Sequence, residues 1–179
     1  MADNDNPHAL RFLYSMTKHG EEKGGKQFAE EFPLDLSADE KAQFEWAKHV
    51  CAFMEDNYDD ETVRTVRMDC VCGPTQEFCE ELRKLYESAS DPDDFVEKVN
   101  AQELGISMEY DGVSYYMIYP ECYCSCVNNC DEQLTRAWCY CTMGYNKRLF
   151  EAVFEKDVQA ELMSAVKLGD GECRIRITP

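Results

Sequence analysis

The chain has 179 residues, 44% of them hydrophobic and 12% aromatic, so it can bury a sizeable core and lacks the composition of a disordered protein. Its net charge of −18 repels phosphate backbones and anionic lipid, which argues against nucleic acid and membrane surfaces as partners. The N-terminal residues MADNDNPHAL have neither the basic nor the apolar region of a signal peptide. We therefore expect a cytoplasmic protein, in which cysteines stay reduced.

Helical periodicity dominates the first hundred residues. The clearest helix is predicted over residues 36–58, where four side chains recur at helical spacing and form an apolar stripe: Phe44, Ala47, Cys51 and Met54. Further helices are predicted over residues 8–25, 61–68 and 75–90, and a last short one is capped by Asp91. The side chains expected to face inward on the first of these are Leu10, Leu13, Tyr14 and Met16.

After residue 100 the pattern changes to strands. Asp111-Gly112 lies between two β-rich arms and predicts a tight hairpin. Along the second arm, strand alternation places Tyr115, Met117 and Tyr119 on one face. Helical period returns over residues 142–154, and a second hairpin is predicted around residues 169–171.

These elements predict one α+β domain over residues 1–179, with a mainly helical part (1–100) and a part that contains the sheet and most cysteines (101–179). The N-terminal helices are expected to pack on a twisted antiparallel sheet. One long helix is inserted before the C-terminal hairpin.

Six of the eleven cysteines fall within residues 122–141, and this cluster is the main functional signal of the sequence. If residues 122–126 continue the preceding strand, their three cysteines share one face. The tripeptide Cys-Tyr-Cys recurs at 139–141. Two such pairs supply the four thiolates of a zinc site, or of an iron–sulfur cluster. The predicted metal ligands are Cys122, Cys124, Cys139 and Cys141, with Cys126 and Cys130 in reserve.

Two other interpretations of the thiols stay open. Cysteine is also a small apolar residue that fills protein cores without taking part in chemistry. Cys70 and Cys72 precede the helix that begins near Thr75, where positive dipole character lowers the pKa of a thiol. That pair is a candidate for thiol redox chemistry, or forms a tight turn with the glycine and proline that follow.

An apolar pocket for a small-molecule ligand is expected beside the metal. The side chains expected to line it are Tyr115, Met117, Tyr119 and Trp138. Four cysteine ligands make the ion structural, and the chain is then a small-molecule- and metal-binding domain. With three protein ligands and a bound water, the alternative is a metal-assisted hydrolase of a small cyclic thio- or amide-containing molecule, with Glu161 as general acid–base.

Residues 138–177 resemble a known group of proteins. The elements that carry the resemblance are Cys139 and Cys141 ahead of Gly144-Tyr145, the helix that follows, and Gly169-Asp170 with Cys173 and alternating residues after it. In these the chain resembles 4-vinyl reductase-type ligand-binding domains. It is more similar to an uncharacterised cysteine-rich prokaryotic family related to the L-2-amino-thiazoline-4-carboxylic acid hydrolase-like proteins.

The resemblance implies helices packed on a twisted antiparallel sheet around a small-molecule pocket, with a cysteine-built site near the sheet. One position departs from the vinyl reductase pattern, because Ser164 stands where that pattern has a further cysteine. If that cysteine is a ligand in the related proteins, either Cys122, Cys124 or Cys126 replaces it in this chain or the site is empty. Hydrolase activity does not follow, since likeness of fold is not likeness of site.

Overall fold

The structure, a computed structural model, describes residues 7–33 and 38–179. The chain divides into two compact units, each made of two segments: residues 1–71 and 123–141 form unit 1, and residues 72–122 and 142–179 form unit 2. That the two units together constitute one domain stays a prediction. In the described ranges no helix is both long and apolar enough to cross a membrane.

The described residues contain seven helices and a four-stranded antiparallel sheet, which confirms the predicted α+β class. The helices are α1 (Pro7–Lys18), α2 (Glu22–Glu31), α3 (Glu40–Asn57), α4 (Asp60–Asp69), α5 (Gln76–Ser88), α6 (Pro92–Asn100) and α7 (Arg136–Phe154). The strands are β1 (Ser107–Tyr110), β2 (Tyr115–Tyr119), β3 (Gln159–Ser164) and β4 (Cys173–Thr178). The long helix α7 precedes the C-terminal hairpin, as predicted.

The first predicted helix is in fact two helices, and the predicted inward face is right for Met16, which is buried, but wrong for Leu10 and Tyr14. α1 ends at Lys18, and Gly25 lies inside α2, where an added Cβ would be 2.9 Å from the Cβ of Met16. Leu10 is 49% and Tyr14 68% exposed. The glycine allows α2 to approach α1 closely, and this contact decides which face of α1 is covered. The buried residues of α1 are Ala9, Phe12, Ser15 and Met16.

Helix α3 confirms the predicted apolar stripe, since Phe44, Ala47, Cys51 and Met54 are all buried. The helix begins after Asp39, whose carboxylate accepts a hydrogen bond of 2.8 Å from the Ala42 N–H. An acidic side chain at this position satisfies one of the N–H groups that a helix leaves unpaired at its start.

The core of unit 1 is aromatic. Phe12 and Phe28 meet edge to face with ring centres 5.2 Å apart, and Trp46 lies 6.1 Å from Phe28 and 6.2 Å from Trp138. The indole N–H of Trp46 donates to the Phe32 carbonyl oxygen at 3.1 Å. Such edge-to-face pairs add to the free energy of burying the rings.

The sheet of unit 2 has the strand order β1-β2-β4-β3, and both predicted hairpins are confirmed. Its register places four buried side chains opposite one another in a row across the sheet: Met108, Met117, Ile175 and Leu162. Tyr115 shares the face of Met117 and is also buried, while Tyr119 at the strand end is half-buried. The predicted shared face of Tyr115 and Met117 is therefore confirmed, although Ile118 on the opposite face is buried as well.

Helices α6 and α7 cover this apolar face. Phe95 of α6 lies 5.8 Å from the Tyr115 ring, and Phe150 and Phe154 of α7 lie 6.4 Å and 5.4 Å from it. On α6, the Asn100 side-chain amide donates to the Met108 carbonyl oxygen at 2.9 Å and accepts from the Met108 N–H at 2.7 Å. This pair of hydrogen bonds joins the end of α6 to the edge strand β1.

Candidate thiol site around a buried arginine

Arg67 of α4 is the most unusual residue of unit 1, because its guanidinium is buried, with only 3% of the residue exposed. Its Nε donates to the Ala137 carbonyl oxygen and its Nη2 to the Trp138 carbonyl oxygen, both at 3.2 Å. The guanidinium carbon also lies 4.4 Å from the centre of the Trp138 ring. Arg67 thereby connects α4 to the first turn of α7.

The hydrogen bonds and ion pairs of Arg67 within the described ranges include no carboxylate. Burial alone would lower the pKa of Arg67, but nearby thiols that become negative on ionisation raise it, and the net direction is upward. In order of effect, these thiols belong to Cys70, Cys141, Cys51 and Cys124. A buried cation with cysteines as its electrostatic neighbours is rare, since such charges are normally paired with carboxylates.

The two most deeply buried of these thiols are neutral near pH 7. Burial raises the pKa of Cys70, and the opposing effects of Arg67 and Ser15 do not offset it. The Cys70 thiol donates to the Val66 carbonyl oxygen at 3.3 Å. Burial likewise raises the pKa of Cys51, against hydrogen bonding by Thr135. These two thiols therefore do not neutralise the guanidinium at neutral pH.

A second group of basic side chains lies on α1 and interacts with Arg67. Arg11 Nη2 is 3.2 Å from His8 Nδ1. Burial, followed by the positive charges of Arg11 and Arg67, lowers the pKa of His8 to about 4, so the imidazole is neutral at pH 7. His8 and Arg11 are half-buried.

The predicted metal ligands do not occupy the predicted elements. β2 ends at Tyr119, so Cys122, Cys124 and Cys126 lie in an irregular, turn-rich segment and share no strand face. Cys139 and Cys141 lie inside α7, which begins at Arg136, six residues before the predicted start at residue 142. On a helix, side chains separated by two residues differ by about 200° in direction around the helix axis. The two thiols therefore point to nearly opposite sides of α7.

Tertiary packing explains why α7 begins early. Neighbouring side chains in its first turns are buried in unit 1: Ala137, Trp138, Cys139 and Tyr140. Trp138 packs against Trp46 and beneath Arg67, and the Tyr140 hydroxyl donates to Asp60 at 3.1 Å. These contacts outweigh the modest helix propensity of tryptophan, cysteine and tyrosine.

The predicted ligands are divided between the units. Cys124, Cys139 and Cys141 belong to unit 1, and Cys122 belongs to unit 2. Among residues 7–33 and 38–179, no three His, Cys, Asp or Glu side chains come together in a way that could hold a metal ion. Of the reserve cysteines, Cys126 is buried and its thiol lies 3.6 Å from the Gln43 carbonyl oxygen, and Cys130 is half-buried.

The two cysteines of the predicted redox pair have different surroundings. Cys70 is buried at the C-terminal end of α4, and its pKa is raised by burial, so the expected lowering by a helix dipole is wrong for this thiol. Cys72 is exposed and belongs to unit 2. Gly73, with φ of +72°, continues the turn toward α5, whose N-cap is Thr75.

The predicted pocket residues are also distributed over both units. Tyr115 and Met117 pack in the core of unit 2, and the Tyr119 hydroxyl donates to Asn146 Oδ1 at 2.9 Å. Burial raises the pKa of Tyr119, so it remains a neutral hydrogen-bond donor. Trp138 belongs to unit 1. The pocket itself stays a prediction.

Glu161, the predicted general acid–base, lies on β3 opposite Arg176 and forms an ion pair with it. Its side chain is 54% exposed, which is the environment of an ordinary surface carboxylate. Ser164, at the position where the vinyl reductase pattern has a cysteine, donates from its hydroxyl to the Glu172 carbonyl oxygen at 3.0 Å.

Sequence reasoning missed Arg67, although a signal was present. Arg67 follows Val63 by four residues and Val66 by one, so it falls on the apolar side of α4. A charged residue at an inward position of an amphipathic helix is unusual, and that position predicts a functional or anchoring role.

Comparison with known proteins supplies a family without a known function. No curated protein and no solved structure matches the chain. The kinship with 4-vinyl reductase-type and hydrolase-like proteins stays a prediction. Residues 12–179 match the model of a family of unknown function, DUF6144, and the chain belongs to that family.

Proposed function

We propose that the chain is a binding protein whose unit 1 uses cysteine thiolates around Arg67 to hold a thiophilic metal ion, with zinc as the first candidate. One observation carries the proposal: a buried guanidinium whose electrostatic neighbours are Cys70, Cys141, Cys51 and Cys124. Cys124 and Cys141 belong to the ligand set predicted from the sequence. Cys70 and Cys51 take the places of Cys122 and Cys139.

The charge of Arg67 supports such a site. Zinc binds cysteine as thiolate, and a divalent ion with three or four thiolates forms a complex of net negative charge. A buried cation beside that complex offsets its charge, where a buried carboxylate would oppose it. Ion binding would also release protons, because burial keeps Cys70 and Cys51 protonated in the ion-free protein.

The proposed ligands must move together to reach the ion, because no three metal-binding side chains in the described ranges form a ready-made group. Cys70 ends α4, and Cys124 lies in the irregular segment after the sheet strand. Neither is fixed by the hydrogen-bond ladder of a helix interior or a sheet, so the proposal requires the backbone at these two positions to move toward Cys141 when the ion binds.

The test is a zinc titration of metal-free, reduced protein with simultaneous measurement of bound ion and released protons. We expect about one zinc ion per chain and a raised melting temperature. Cys141→Ser should lose most of the zinc, whereas Cys79→Ser, in α5 of unit 2, should bind as the wild type does. Wild-type binding by Cys141→Ser, or no zinc bound to the wild type, contradicts the proposal.

We include the resemblance to the L-2-amino-thiazoline-4-carboxylic acid hydrolase-like proteins in the proposal only as a similarity of fold. It is supported by the α+β architecture and by the hairpin that turns at Gly169, with φ of +95°. It brings with it the expectation of a small-molecule ligand. It carries no reaction, because the exposed, ion-paired Glu161 gives no support for an acid–base site.

A further inference from the structure

Two buried side-chain atoms in the described part of the chain have no hydrogen-bond partner, and both are N–H donors of unit 1. They are Nε of Arg11 and Nε1 of Trp138. Trp138 is 97% buried, since only 3% of it is exposed. A buried polar group without a partner costs on the order of 1–3 kcal/mol, so such groups are seldom retained without a use.

Both donors lie in the group of basic side chains centred on Arg67. The Trp138 ring is 4.4 Å from the guanidinium carbon of Arg67. Arg11 lies one helical turn before Ser15 on α1, and the Ser15 hydroxyl donates to the carbonyl oxygen of Val66, the residue next to Arg67. The two carbonyl bonds of Arg67 use Nε and Nη2, and neither uses Nη1.

Arg67 and Arg11 supply donors and positive charge, and none of their hydrogen bonds within residues 7–33 and 38–179 is to a carboxylate. Arginine and the indole nitrogen donate hydrogen bonds and accept none. The hydrogen-bond partners of the Arg67 guanidinium in the described ranges are main-chain carbonyl oxygens, which carry no full negative charge. In a chain of net charge −18, this is a local concentration of positive charge with two buried N–H donors that have no acceptor.

We propose that Arg67, Arg11 and the Trp138 indole N–H form a binding site for the oxyanion group, carboxylate or phosphate, of a small molecule. An oxyanion has several acceptor positions and matches both the planar guanidinium and the single indole donor. His8 and Arg11 are half-buried, so they form the side from which the ligand enters.

This site does not depend on the proposed metal site, although both include Arg67. The oxyanion would be held by N–H groups, whereas zinc would be held by sulfur. Cys141→Ser should therefore lose zinc and keep the oxyanion, and Arg11→Gln should lose the oxyanion and keep zinc. The two proposals can fail separately.

The test uses metal-free, ¹⁵N-labelled full-length protein, titrated with inorganic phosphate in one arm and acetate in the other, with sodium chloride at matched ionic strength as reference. The resonance of the Trp138 indole N–H should shift in a saturable way. Trp46 is the internal control, because its indole N–H already donates to the Phe32 carbonyl oxygen. The arm that saturates at lower concentration identifies the group as phosphate or carboxylate.

Matched variants distinguish a built site from general charge attraction. Arg11→Gln should weaken binding by about tenfold or more, the effect expected on losing a hydrogen bond to a charged group. Trp138→Phe should weaken it while the ring packing is kept. Lys48→Gln removes a half-exposed charge that is ion-paired with Glu45 and should change nothing. Equal effects of Arg11→Gln and Lys48→Gln, or no shift of the Trp138 resonance with either anion, overturn the proposal.

Discussion

The guanidinium carbon of Arg67 lies 4.4 Å from the centre of the Trp138 ring, and the same guanidinium donates to the main-chain carbonyl of Trp138. One side chain thus contacts both the ring and the backbone of another residue. This double contact fixes where α7 begins and places the thiols of unit 1 around a positive charge. The proposed functions of unit 1 both depend on it.

Replacing Arg67 should cost stability mainly through lost packing. Arg67→Ala removes the stacking on Trp138 and leaves a cavity, so we expect the free energy of unfolding to fall by about 3 kcal/mol. Arg67→Met fills the space without a buried charge and should cost about 1 kcal/mol or less. Urea unfolding of the three proteins checks this. Equal losses for the two variants would mean that the charge and its hydrogen bonds, and not the packing, stabilise unit 1.

Gly25→Ala should destabilise the protein although alanine is the better helix former. The added Cβ would stand 2.9 Å from the Cβ of Met16, an atom close to the backbone that cannot move without its helix. We expect a loss of about 1–3 kcal/mol, which exceeds the roughly 1 kcal/mol gained in helix propensity. Gly171→Ala is the control, because nothing lies within 4 Å of the added atom. Thermal unfolding should show a lower melting temperature for Gly25→Ala alone.

Asn100→Ala should loosen the edge strand of the sheet. The asparagine side chain forms hydrogen bonds of 2.9 Å and 2.7 Å with both main-chain groups of Met108. Removing both should lower the free energy of unfolding by about 1–2 kcal/mol. Hydrogen exchange at the Met108 amide is the direct measurement. Unchanged protection of that amide in the variant would show that the two bonds do not hold β1.

Asp111 should make the first hairpin sensitive to acid. The Ser114 N–H, the Tyr116 hydroxyl and the Val113 N–H all donate to its carboxylate and hold its pKa at about 2, below the usual 3.8. Because the pKa of Asp111 is lower in the folded than in the unfolded chain, the ionised carboxylate stabilises the fold above pH 3.8. This contribution to the free energy of unfolding disappears as the pH falls from about 4 to 2. The stability difference between the wild type and Asp111→Asn should therefore shrink over that interval in unfolding measurements. A difference that stays constant with pH contradicts the assignment.

The thiols should react with an alkylating reagent in an order set by burial. Cys72 is exposed and should be modified first, whereas Cys51 and Cys70 are buried, with pKa values raised by that burial, and should be modified last. Time-resolved mass spectrometry of peptides gives the order. Modification of Cys70 as fast as Cys72 in the folded protein would show that unit 1 opens readily.

Several features were determined by local sequence. The Asp111-Gly112 turn, the stripe on α3 and the shared face of Tyr115 and Met117 on β2 were all predicted, because turn chemistry and the period of apolar residues are properties of neighbouring residues. The α+β class follows from these elements. The concentration of cysteines at residues 122–141 is also a property of the local sequence, and its role in binding stays a prediction.

Long-range contacts decided the rest. The start of α7 depends on Arg67, some 70 residues earlier, and the covered face of α1 depends on Gly25 of another helix. The prediction that Cys139 and Cys141 act as a pair of ligands assumed residues outside a helix, whereas both lie in α7, where side chains two residues apart do not share a face. Which thiols surround which charge is a property of packed elements, and no local pattern specifies it.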